Sequence, residues 1–93
     1  MPYYAIYCVD NPATPDARNQ HYPQHREYLS SAPLKIVTAG PLTDESGEKR
    51  VGSLLLVEAN SLQEARHFSE ADPFYINKVW HQVSVHPYIK AFG

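Results

Sequence analysis

Cysteine is nearly absent: Cys8 is the only one in 93 residues. That excludes an internal disulfide and any zinc site built on cysteines. Long apolar runs are missing too, since Ala5–Val9 and Leu54–Val57 are far too short to cross a bilayer. Neither sign of charge dominates. Eight Lys and Arg against ten Asp and Glu give a net charge of −2, scattered along the chain. A phosphate backbone requires a basic stripe, so nucleic acid is not an expected partner, and neither is a membrane. The opening Met-Pro-Tyr-Tyr has neither the charged lead nor the cleavage site of a signal peptide. With a free thiol, this points to a reducing cytoplasm. No phosphate-cradling Gly-rich loop and no nucleophile elbow occurs.

Residues 1–93 fit a single domain. Small domains bury a modest fraction of their surface and lean on disulfides, metals or self-association. With no disulfide available, self-association is the leading support.

Tyr3–Val9 is aromatic, β-branched and apolar, which reads as a strand. Asp10-Asn11-Pro12 and Pro15-Asp16 mark a loop. His21, His25, Tyr28, Leu29 and Ala32 then fall on one helix face, with a late start or a bend expected at Pro23. Leu34–Ala39 reads as a second strand ended by Gly40-Pro41, and Thr43–Arg50 as a polar hairpin turn. Gly52–Ala59 is a third strand. Ser61 and Glu64 have the spacing of a capping box for a helix reaching about Glu70. Asp72-Pro73 opens a further helical turn, and Val79–Tyr88 is the last strand.

Strand, helix, two strands, helix, strand is the ferredoxin-like βαββαβ arrangement of an α+β domain, with both helices on one sheet face. The other face should be polar if it met water. Yet Tyr4, Ile6 and Cys8 are opposed by Tyr3, Ala5, Tyr7 and Val9, and Leu54–Val57 is apolar throughout. A second copy of the same sheet is the expected cover. In the last strand, Val79, His81, Val83 and Val85 suit the helix side, and Trp80, Gln82, Ser84 and His86 the other. That second set suits the lining of a small-ligand cavity or, equally, a wet dimer rim.

Among polar residues, His25 could serve as base, acid or metal ligand, or sit half-buried on a carbonyl. Asp72 reads as a helix cap, a role compatible with holding an imidazole through its other oxygen. His21 and His25 are four apart, but no third metal ligand is placed, so no metal is expected. Ser53 could bind a ligand oxygen or be an ordinary sheet hydroxyl. Cys8 reads as an inert packed thiol.

In order and spacing, several segments together resemble the YCII-related (YciI-like) family over nearly the whole length. They are Asp10 after the aromatic strand, Arg18, His25 in HREYL, Ala39-Gly40-Pro41, Gly52-Ser53, SLQEA, ADPF and His86-Pro87-Tyr88. The resemblance implies two subunits packed sheet to sheet as a dimeric α+β barrel. It also implies a His–Asp pair beside a pocket, falling on His25 and Asp72. Some members of the family remove chloride from small hydroxylated aromatic rings. His21 stands where the family commonly has Arg.

Two functions compete. In the first, a cofactor-independent lyase or isomerase uses His25 as base and Asp72 to orient it. Arg18, Ser53, Pro73, Phe74 and Trp80 are then the substrate-binding candidates, for a small hydroxylated aromatic, quinone or lactone. In the second, the same pocket binds or senses a metabolite without chemistry. A haem or metal enzyme ligated by His21, His25 or His86 ranks third.

Overall fold

A computed structural model describes residues 2–93. The chain runs β1 (Tyr3–Asp10), α1 (Ala17–Ser30), β2 (Lys35–Thr43), β3 (Arg50–Glu58), α2 (Leu62–Glu70), α3 (Pro73–Ile76) and β4 (Trp80–Tyr88). The strands form one four-stranded antiparallel sheet in the order β2-β3-β1-β4, the ferredoxin-like topology. One face is covered by the helices. There Tyr4, Ile6, Cys8, Leu55 and Val57 pack with Ala65, Phe68 and Phe74 in the core. On the opposite face Tyr7 and Leu54, paired across β1 and β3, are 47% and 44% exposed.

Local chemistry accounts for the element ends. Ser61 accepts the Glu64 N–H at 3.1 Å, while the Glu64 carboxylate reaches back to the Asn60 N–H at 3.2 Å. This is a capping box displaced by one residue on its return bond. In the β2–β3 hairpin the Asp44 carboxylate accepts from both the backbone N–H and hydroxyl of Ser46, and Gly47 takes φ 78°.

Three expectations are corrected. First, the helix does not start late: α1 starts at Ala17, upstream of Pro23, and continues through it. An interior proline removes a helix hydrogen bond. Here Pro23 and the residue four before it, Asn19, face water, and tertiary contacts anchor the helix on both sides. Second, Gly40-Pro41 does not end β2, which runs to Thr43. β2 is an edge strand, where a missing N–H costs little, and irregularities at Ile36/Thr38 and Leu42/Thr43 absorb the mismatch. Third, Trp80 and His81 exchange sides. Asp10 pairs with Trp80 and Val9 with Gln82, so His81 is an extra residue in a bulge. The bulge turns Trp80 to the helix side, where it is buried, and leaves His81 exposed.

Gly52 lies opposite Val9 in the middle of the sheet, and a Cβ there would collide with the Cys8 carbonyl oxygen. Backbone cannot yield as a flexible side chain can. Gly52→Ala should therefore lower stability by about 1–3 kcal/mol, read as a drop in urea midpoint at unchanged slope.

Candidate active site

Two helix starts and two strands converge on one cleft. Arg18 lies in the first turns of α1 and His25 two turns further along, so both project to the same side. Asp72 precedes Pro73, which holds it extended (ψ 133°), the geometry a helix cap needs. Its side chain accepts the Phe74 N–H at 2.9 Å.

The same Asp72 oxygen, Oδ1, lies 2.7 Å from Nδ1 of His25. A carboxylate only accepts, so Nδ1 carries the proton and Nε2 presents its lone pair. Asp72 is 1% and His25 7% exposed. Cap and imidazole contact thus share one oxygen instead of dividing between two, as the sequence had suggested. Oδ2 is buried with no partner among the described residues, and so is Nε1 of Trp80. The ring of His25 lies flat on Phe74, with centroids 3.9 Å apart and planes 2° apart, and Trp80 meets both rings edge-on. Phe74, fully buried, and Trp80 therefore clamp the imidazole from beneath. Pro73 begins α3 behind them, its carbonyl accepting from the Asn77 side chain.

Arg18 makes the second anchor. Its Nε and Nη2 grip both oxygens of Asp10 at 2.8 and 2.7 Å. Nη2 also reaches the Gly52 carbonyl at 2.8 Å and Ser53 Oγ at 2.9 Å. Ser53 accepts from Arg18, so its own O–H is left to donate. These bonds tie α1 to β1 and β3 and make Arg18 part of the wall, with its guanidinium 5.1 Å from the Phe74 ring centre.

The cleft between α1 and β2–β3 has a volume of about 140 Å³ and is lined by Arg18, Tyr22, His25, Arg26, Arg50 and Ser53, among others. An apolar cavity of about 150 Å³ holds one benzene, so a single ring fits. The structure brings together His25, Asp72, Arg18 and Ser53. It sets Pro73, Phe74 and Trp80 behind them. Sequence reasoning passed over Asp10, Tyr22, Arg26 and Arg50. Arg26 adjoins His25 in HREYL, which was a usable signal, whereas Arg50 looked like hairpin turn. His21 faces Gln24 and His86 lies on exposed β4, apart from this cluster. Among the described residues no three His, Cys, Asp or Glu side chains group as metal ligands, and no helix is long and apolar enough to cross a membrane.

A family model described as the YCII-related domain matches residues 2–89. Protein YciI of Escherichia coli is 31% identical over 96 residues, covering 96% of this chain and 98% of that one. An uncharacterized protein of Haemophilus influenzae is 31% identical over 97 residues, with 97% and 99% covered. Among solved structures, 5-chloro-2-hydroxyhydroquinone dehydrochlorinase from Burkholderia phenoliruptrix, in complex with 2,5-dihydroxybenzoquinone, superposes with a TM-score of 0.81 at 31% identity, covering 94% of this chain and 93% of that one. A putative antibiotic biosynthesis monooxygenase from Nitrosomonas europaea shares the fold, with a TM-score of 0.56, 11% identity and coverage of 99% and 100%.

Cys8, opposite Ser53 in the sheet, is fully buried. Burial first, and then the Asp72 charge, push its thiol far above the ordinary 9.0. Burial and Asp72 likewise raise Tyr28 above 10.0, and its hydroxyl donates to the Phe68 carbonyl at 2.7 Å. The folded chain holds these protons where the unfolded chain releases them, so stability is full below about pH 9 and falls above it. Urea midpoints should hold up to about pH 9 and decline above it, less steeply in Cys8→Ala, and iodoacetamide should label Cys8 only on unfolding.

Proposed function

The chain belongs to the YCII-related family, and from that premise we propose that it is a cofactor-independent enzyme performing acid–base chemistry on a small hydroxylated ring. The observation that carries this is the 2.7 Å contact between His25 Nδ1 and the buried Asp72, in the wall of a ring-sized cleft. Nε2, with no hydrogen bond among the described residues, takes a proton from a ring hydroxyl or an activated carbon. Asp72 keeps the tautomer and stabilises the imidazolium that forms. The Ser53 hydroxyl and the Arg18 guanidinium hold a substrate oxygen.

In an elimination, the electron pair freed with that proton becomes a new π bond as the C–Cl bond breaks. Chlorine leaves with its bonding pair as chloride, and the imidazolium returns its proton to water. The likeness to a dehydrochlorinase bound to a dihydroxybenzoquinone supports this class over isomerisation. One observation favours a second reading, a binding module: among the described residues no carboxylate lines the cleft to act as a partner acid.

Chlorinated hydroxyhydroquinones with chloride release as readout separate the two. Asp72→Asn keeps a capping acceptor but loses the charge, and turnover should fall roughly 10²–10⁴-fold with the melting transition largely retained. Unchanged turnover in that variant would sink the dyad. A ring that stabilises the protein and is recovered intact would favour the binding module.

The open sheet face carries a companion proposal, a homodimer packed sheet to sheet. Tyr7 and Leu54 offer it apolar surface that water solvates poorly. Light scattering should give the mass of two chains, and Leu54→Lys should shift it towards one. A monomeric wild type would refute it. The cytoplasm is the compartment that suits the free thiol of Cys8.

A further inference from the structure

The cleft holds more positive charge than the acid–base step uses. Arg18 is compensated by Asp10. Arg26, beside His25 on α1, and Arg50, at the start of β3, line the same cleft. Among the described residues neither guanidinium has an ion pair or a side-chain hydrogen bond. Among the described residues no Asp or Glu lines the cleft with them. The nearby carboxylate of Asp72 is engaged behind His25 and almost wholly buried. Two cations from facing walls of a small cleft, without an internal counter-charge, attract an anion in their shared field. They also favour the ionised form of any acidic group placed between them.

Resting on the assignment of this cleft as the substrate site, we infer that it takes its ring as an anion. An ionised ring hydroxyl or a carboxylate lies between Arg26 and Arg50, and the edge to be deprotonated faces Nε2 of His25. The placement divides the labour. The arginines hold charge that persists through the reaction, while Ser53 and Arg18 meet the oxygen next to the bond that changes. Guanidinium is suited to this because its planar fork of donors matches a carboxylate or a pair of neighbouring ring oxygens. Its charge also survives at any pH at which His25 can act as a base.

Calorimetric titration of the full chain provides the test, with two matched pairs of probes. One is 4-hydroxybenzoate against the uncharged 4-hydroxybenzamide. The other is 2,5-dihydroxybenzoquinone against 2,5-dimethoxybenzoquinone, which cannot ionise. The anion of at least one pair should bind roughly tenfold or more tightly than its neutral partner, as one charge-assisted contact suggests. Which pair shows the preference tells a carboxylate from an ionised hydroxyl. Both arginines are exposed, so Arg26→Gln and Arg50→Gln should keep the wild-type melting transition. Each should weaken the anion about tenfold and leave the neutral ring unchanged. Equal affinity for anion and neutral ring overturns the inference, as does a preference that survives in the double variant. Asp72→Asn separates it from the proposed reaction. If that variant keeps full turnover, the dyad falls while the anion preference stands on binding alone. If it loses turnover while the arginine variants bind like wild type, the dyad stands and this inference falls.

Discussion

Asp72 is a carboxylate almost wholly withdrawn from water, and burying such a charge is unfavourable unless it is paired and hydrogen-bonded. Its Oδ1 accepts two hydrogen bonds at once, from the Phe74 N–H that starts α3 and from the Nδ1–H of His25. The cap therefore orients the imidazole. Because Phe74 follows two residues after Asp72, the same turn also slides an aromatic ring flat beneath His25. Trp80 closes the cluster edge-on to both. The imidazole has a hydrogen bond at one nitrogen, rings at its face and edge, and freedom at Nε2.

A second constraint keeps the other end of α1 in place. The bidentate Arg18–Asp10 pair, extended to Gly52 and Ser53, joins the helix to the two central strands. Such a pair is worth little at a fully exposed surface. Here it is half-buried and both Nε and Nη2 have fixed acceptors, so it acts chiefly on geometry. Between these anchors the helix tolerates Pro23, whose missing hydrogen bond falls on a face open to water. Gly52 contributes by having no side chain where β3 approaches the Cys8 carbonyl.

Much of the fold was legible because its signals are local. Alternation, turn residues and the Ser61 and Asp72 caps act over a few residues, and the elements they predict are present. The misplaced features were the non-local ones. Nothing within Val79–Tyr88 marks His81 as an extra residue; the bulge appears only against Val9 and Asp10. Gly40-Pro41 looks like a strand end unless β2 is known to be an edge. Arg50 passes for turn surface until β3 brings it to the cleft wall facing α1. The His25–Asp72 pair came from resemblance, since 47 residues separate the two and no spacing rule connects them.

The sequence by itself determined the order of elements, the apolar character of both sheet faces, and a cap at Asp72, because hydrophobic period and turn chemistry are properties of neighbouring residues. Only the tertiary structure decided that this cap would also hold an imidazole. It alone turned Trp80 under the site and set two uncompensated arginines around a ring-sized cleft. Those outcomes depend on strand register and helix placement, which arise when segments far apart in the chain compete to bury the same apolar surface.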